Sequence, residues 1–367
     1  MTLSERIGQI LFVGIPGPTV DAETRALLRE VQPGGVILFA RNLESPRQVA
    51  ELNAAIRATL RIPPIISIDQ EGGPVDRLKK IGEPMPAPGD IRATDDAAMA
   101  GRFGSMTAEI LRNLGFNMNF APMLDLEVHP DADNALKGRY FGSTTSEVIR
   151  FAGSYLEGLQ QGGVIACGKH FPGLGDSFVD SHKELPTVER DGEVLRSNDL
   201  RPYAELITRI NSRLGVVMVA HAYYPAFDGT EKIPASLSPN VVTTLLRDEL
   251  DFRGLAISDD MEMGAITEIG DFAEACVLAV EAGNDMLLVC QTSDRVREAR
   301  EALIEAAESG RISPARRKRG LDRIARVKSA LLGSLIFNEG THTRLQERMA
   351  QFSAQVVSSR AQVPWAG

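Results

Sequence analysis

PIISIDQEGG, Pro64 to Gly73, opens with a short apolar, β-branched run, reaches an acidic residue at Asp69 and turns at Gly72-Gly73. Such a run is too short for a buried helix and reads as a strand covered on both faces. The same form recurs along the chain. Gln9–Val13, Gly35–Phe39, Pro64–Ile68, Asn117–Ala121, Val164–Gly168, Val216–Ala220, Leu255–Ser258 and Asp285–Val289 are eight such runs. Amphipathic stretches lie between them, among them Pro46–Leu60, Asp95–Leu114, Ser146–Gln161, Asp199–Ile210, Ser238–Leu250 and Phe272–Ala282. Strands alternating with helical stretches make a parallel sheet, and eight of them give the strand count of an α/β (β/α)8 TIM barrel.

An open doubly wound sheet would show the same local pattern, so the polar residues provide the discrimination. Asp69, Asp125, Lys169 with His170, His221 and Asp259 each stand at or just past the C-terminal end of a run. In a barrel those ends converge on one mouth, where active sites are built. One strand-end aspartate can simply cap a turn, but a set at equivalent positions of different strands is hard to explain that way. The barrel is expected to occupy residues 1–335 as one domain. It includes a basic closing helix, Pro314–Leu332, and residues 336–367 follow as a helical tail, Thr341–Arg360, with a frayed end.

The 367 residues carry 49 acidic and 40 basic side chains, a formal charge of −9, with 43% hydrophobic content. An acidic chain has no global field for nucleic acid or an anionic membrane surface, so neither is expected as a partner. Cys167, Cys276 and Cys290 are odd in number and far apart, without a CxxC spacing, which argues against a disulfide framework or structural zinc. MTLSERIGQILFVGIPG reads as a strand region, not a leader, because Glu5 and Arg6 precede its short apolar run and no small-residue cleavage site follows. No apolar run approaches the roughly 18 residues that span a bilayer. A cytoplasmic monomer without cofactor or metal is expected.

KHFPGLGDSFVDSH, Lys169 to His182, is the densest group of chemically capable side chains. Asp180 stands two residues before His182, a spacing that suits a carboxylate holding one ring nitrogen while the other passes a proton. A loop rich in turn residues can also bring such a histidine to a substrate, or it can be merely a solvated loop. In ISDDMEM, Ile257 to Met263, Asp259 and Asp260 leave an apolar strand; such a carboxylate can be nucleophile, base or metal ligand, and one of the two is expected to cap a helix. In SIDQEGGPVDRL, Ser67 to Leu78, Asp69 and Glu71 with Arg77 are equipment for hydroxyl recognition or for a structural ion pair.

These stretches, with GGVILFARN (Gly34–Asn42), NFAPMLDL (Asn119–Leu126), AHAYYPAFD (Ala220–Asp228), PASLSP (Pro234–Pro239), LRDELDFRGLAISDDMEMGAI (Leu246–Ile266) and AGNDMLL (Ala282–Leu288), resemble glycoside hydrolase family 3 over about residues 5–335. Within it the chain is most similar to the single-barrel bacterial β-N-acetylglucosaminidases of peptidoglycan recycling. The resemblance implies Asp259 as nucleophile, His182 oriented by Asp180 as acid/base, and Asp69, Arg77, Arg139, Lys169 and His170 gripping the non-reducing-end sugar. It implies retaining hydrolysis of a small GlcNAc-containing carbohydrate, with β-glucosidase and phosphorylase activities as alternatives within the family. Three departures stand out: Leu174 and Ser177 where the family loop reads PGHGDT, Pro74 where an arginine is frequent, and Tyr140 in place of a serine after Arg139.

Rival chemistries use the same residues. A metal-dependent barrel hydrolase would need ligands from His170, His182, His221, Asp176 and Asp259, yet no HxH stands on the first strand and no HExxH occurs. A Schiff-base aldolase would use Lys169, which its carboxylate neighbours would keep charged. A silent sugar-binding barrel would need neither Asp259 nor His182.

Overall fold

The computed structural model describes residues 1–130, 135–177, 184–210, 213–267, 270–331, 333 and 336–361. Every one of the eight apolar runs forms a strand: Leu11–Gly14, Gly35–Leu38, Ile65–Ile68, Met118–Asn119, Ile165–Ala166 continuing as Gly168–Phe171, Val216–Val219, Leu255–Asp260 and Met286–Val289. All neighbours pair in parallel. The fifth run closes the ring. Its first half pairs with Met118–Asn119 and its second with Val216–Val219, so the two ends of the sheet are consecutive in sequence and separated only by Cys167. The Cys167 N–H donates to the carbonyls of Asn119 and Ala121 across that step.

Alternation along each strand sorts side chains between two apolar layers. Phe12, Ile37, Ile65, Met118, Phe120, Val216, Met218, Leu255, Ile257, Met286 and Leu288 point inward and fill the barrel. Leu11, Val13, Val36, Leu38, Ile66 and Ile68 point outward into the layer shared with the helices. Phe12 and Phe120 meet near the centre with ring centroids 5.3 Å apart. Gly35 makes room for them, since a Cβ there would lie 2.4 Å from the Phe12 ring.

The closing helix, Pro314–Ser329, plugs the end of the barrel opposite the mouth. Ile324, with Leu321 and Val327, seats on the interior layer. Its basic character has a local reason: Arg316 and Arg323 both reach the buried carboxylate of Asp285, which also takes Arg247 at 2.7 Å. Helices Ala97–Asn113 and Thr145–Gln161 approach backbone to backbone, because Gly104 and Gly158 leave no side chain between them. Glu339–Arg360 lies across the first of these with Leu345, Met349, Phe352 and Val356 buried, and Phe352 stacks on Phe103. Two local readings need correction. Leu3–Gly8 is a short helix before the first strand, held by a reciprocal cap between Thr2 and Glu5, and Asn240–Glu249 is wound as a π-helix.

Candidate active site

Counting inward positions by twos from Leu255 through Ile257 brings Asp259 to the mouth, and Ile65 and Ser67 lead to Asp69 in the same way. Asp69, Arg77, Arg139, Lys169, His170 and Asp259, all expected from sequence, line one cavity of about 500 Å³, a size typical of a small-ligand pocket. Asp180 and His182 lie outside the described residues.

The wall of this cavity is an ion network centred on Glu71, which the sequence offered either for hydroxyl recognition or for a structural ion pair and which here makes the ion pairs. Arg139 grips it in bidentate fashion, Nε and Nη2 each 2.8 Å from a carboxylate oxygen. Lys169 Nζ stands 2.7 Å from Glu71 Oε1 and 2.7 Å from Asp69 Oδ1. Burial pushes the Glu71 carboxyl up, but Arg139 and Lys169 together outweigh it and hold it well below the usual range. The same balance, in reverse, raises both cations: burial lowers them, and Glu71 on Arg139, and Asp69 with Glu71 on Lys169, raise them further. Lys169 therefore stays an ammonium, which removes the free amine that an imine mechanism needs. Glu71 sits two residues after Asp69 in extended chain, on the short hairpin Gln70–Gly72 and Val75–Asp76, and that spacing is the signal that places both on one face.

Arg77 differs from these. It lines the cavity without an ion pair among the described residues, and its buried Nε has no hydrogen-bond partner. That nitrogen can donate to a group that enters the pocket.

Asp125 is the second supporting carboxylate. It is buried at the end of the fourth strand region, its Oδ2 lies 2.7 Å from His170 Nδ1, and it accepts the N–H groups of His170 and Leu174. It thus sets the imidazole's orientation and leaves Nε2 uncommitted to it. The peptide joining Lys169 to His170 is cis, and both side chains face the cavity. Beyond them the chain turns where no larger residue fits: a Cβ on Gly175 would meet the Leu126 carbonyl at 2.0 Å. Leu174 is buried against the cavity, and Asp176 takes His129 Nε2 at 2.6 Å.

The adjacent aspartates divide. Burial raises Asp259, but His170, His221, the Asp260 N–H and Lys169 outweigh it, so Asp259 is held below its ordinary value and ionised. Asp260 accepts from the N–H groups of Glu262 and Cys290 and from Gln291 Nε2, at 3.1–3.2 Å. Burial nevertheless pushes it up to about 6. It is the turn-holding member of the pair. Among the described residues, no group of three or more His, Cys, Asp or Glu side chains is placed to hold a metal ion.

Residues 2–327 match the family of the glycosyl hydrolase family 3 N terminal domain. The chain belongs to glycosyl hydrolase family 3. It is accordingly a glycoside hydrolase. It is 34% identical over 302 residues to a beta-hexosaminidase of Idiomarina loihiensis, covering 81% of this chain and 88% of that one. A beta-hexosaminidase of Pseudomonas aeruginosa is 36% identical over 305 residues, 83% and 88% of the two chains. Among solved structures, a glycoside hydrolase family 3 beta-N-acetylglucosaminidase from Paenibacillus sp. str. FPU-7 superposes with a TM-score of 0.89 at 38% identity, over 96% of this chain and 69% of that one. No helix of the described residues is long and apolar enough to cross a membrane.

Proposed function

We propose that this glycoside hydrolase is an exo-acting, retaining β-N-acetylglucosaminidase that removes non-reducing-end GlcNAc from small peptidoglycan-derived sugars in the cytoplasm, as a monomer. The observation that carries the reading is the ionised Asp259 at the mouth of a cavity whose other wall is the Asp69–Lys169–Glu71–Arg139 network. The sugar follows from the names of the relatives, beta-hexosaminidases and a beta-N-acetylglucosaminidase.

In this mechanism Asp69 Oδ2, the Lys169 ammonium, His170 Nε2, Arg139 and the unpartnered Arg77 hold the sugar hydroxyls. Asp259 attacks the anomeric carbon while His182, oriented by Asp180, protonates the leaving oxygen; water then releases the glycosyl-enzyme, with His182 as base. A neutral imidazole as acid/base puts no second negative charge beside Asp259, where most retaining enzymes place a second carboxylate about 5–5.5 Å away. It also repels anions less, which keeps phosphorolysis as an alternative to hydrolysis.

The test compares turnover of aryl β-N-acetylglucosaminide and aryl β-glucoside, with and without phosphate and with a chelator. Preference for the first, independent of phosphate and chelator, is expected. Equal or better use of the glucoside overturns the sugar assignment, and phosphate-dependent release of a sugar phosphate overturns hydrolysis. Asp259→Asn should remove turnover and leave folding intact.

A further inference from the structure

His221 closes the sixth strand region, yet it does not line the cavity. It is 1% exposed, and both ring nitrogens are engaged. Nε2 lies 3.1 Å from the backbone carbonyl of Asp260, and Nδ1 lies 2.7 Å from Ser236 Oγ. A carbonyl can only accept, so Nε2 carries the proton and Nδ1 accepts from the Ser236 hydroxyl. Ser236 is itself fixed: it is fully buried, its N–H donates to the Ala220 carbonyl, and its own carbonyl takes Asn284 Nδ2 at 2.7 Å.

On the other side of the imidazole stands Asp260, whose N–H donates to Asp259 Oδ1 at 2.8 Å. Ser236, His221 and Asp260 thus form a directed row of hydrogen bonds that ends on the carboxylate of Asp259. We infer that His221 is a positioning residue for this carboxylate: its Nε2–H pins the Asp260 carbonyl, fixes the orientation of the Asp260 backbone, and through the Asp260 N–H aims Asp259 into the cavity. The side chain of Asp260, tied to Cys290, Gln291 and Glu262, holds the same residue from the opposite direction. Two anchors on one residue leave its N–H little freedom to swing.

The inference rests on the reading of Asp259 as nucleophile. Misplacing a reacting group by about 1 Å can cost on the order of 10²-fold in rate, and that sets the size of the expected effect. His221→Leu, which removes both hydrogen bonds, should lower kcat on an aryl β-N-acetylglucosaminide by about 10²-fold while KM stays within about threefold, because the residue does not touch the pocket. His221→Gln keeps a donor able to reach the Asp260 carbonyl and should recover most of that loss. Ser236→Ala, which frees the imidazole to rotate, should fall between wild type and the leucine variant.

Thermal unfolding and circular dichroism identify variants that failed to fold, and the glutamine and alanine variants keep the test open if leucine is not tolerated. Wild-type kcat in a folded His221→Leu, or a loss expressed in KM alone, overturns the inference. So does failure of folded His221→Gln to exceed His221→Leu; if leucine does not fold, a folded Ser236→Ala with wild-type kcat does so. Asp259→Asn is run alongside: if it retains turnover, the nucleophile assignment has failed. If it is inactive while the His221 variants behave as wild type, only the positioning role has failed.

Discussion

Glu71→Gln separates the ion network from the rest of the fold. The substitution keeps size and one acceptor but removes the charge that two buried cations share: Arg139 through two bonds of 2.8 Å and Lys169 at 2.7 Å. Lys169 keeps Asp69; Arg139 has no other carboxylate bonded to it among the described residues. Breaking a buried pair by removing one partner costs about 3–5 kcal/mol. With an unfolding entropy of about 2.1 cal/mol/K per residue, a chain of 367 residues has about 0.8 kcal/mol/K, so the melting temperature should fall by about 4–6 °C at pH 7. The pH dependence gives a second signature. Glu71 is depressed in the fold, so its contribution is present above its unfolded value, 4.5, and is lost as pH falls towards the folded value. The gap between wild type and variant should be constant from pH 8 to 6 and then close by up to about 1.4 kcal/mol per unit below about pH 4.5. Calorimetry at pH 7, 5, 4 and 3 measures both. Equal melting temperatures at pH 7, or a gap that persists undiminished at pH 3, would refute the view that Glu71 is the charged centre of the site.

Asp260→Asn should preserve the bonds from Glu262 and Cys290 while relieving a carboxylate whose value is pushed up to about 6. A raised acid destabilises as pH climbs through that range, so the variant should gain about 1–3 kcal/mol above pH 6 and nothing below pH 4; denaturant unfolding at pH 4 and 7 checks it, and an equal effect at both would count against the assignment. Gly158→Ala places a Cβ 2.0 Å from the Gly101 carbonyl and should cost about 1–3 kcal/mol by forcing the two helices apart; an unchanged melting temperature would show that the pair relaxes freely. Gly175→Ala, with a Cβ 2.0 Å from the Leu126 carbonyl, should cost a similar amount, about 1–3 kcal/mol, and also lower kcat in the folded variant, because the clash displaces the chain beside His170 and Leu174 at the cavity. Unaltered kinetics in a folded variant would show that this stretch does not shape the site.

The strands were readable because a barrel strand is buried on both faces, so its run carries no charge and few polar groups, such as a small hydroxyl, and its end is marked by the first charged residue. Ile65 to Asp69 and Leu255 to Asp259 are such cases, and the period of two that fills the interior also delivers both aspartates to the cavity. Glu71 and Asp125 were visible in the sequence, but their roles were harder to read. Each works through other side chains, and their value depends on Arg139, Lys169 and His170, which arrive from remote parts of the chain. The helix Leu3–Gly8 escaped because six residues show less than two turns of periodicity, although Thr2 and Glu5 already carry its cap. Nothing local announces the π winding of Asn240–Glu249, whose residues have the spacing of an ordinary amphipathic helix.

Asp259 and Asp260 show how neighbouring, identical side chains acquire different chemistry. The register shifts between Ile257 and Asp260 against the next strand, and both aspartates border the cavity. Their partners differ: His170, His221 and Lys169 favour the charge of Asp259, whereas Asp260 is tied to the backbone of Cys290 and Glu262 and to Gln291, donors that do not repay the water it loses. Finding titratable neighbours whose environments drive them apart is a general way to assign roles in a site. On the proposed reading it favours Asp259 as the attacking group, because His170, His221 and Lys169 support its charge, while the hydrogen bonds of Asp260 hold the turn. The pairing of Leu255 to Ser258 with Val216 to Val219 therefore sets where both carboxylates emerge at the mouth, and their different partners there set their chemistry.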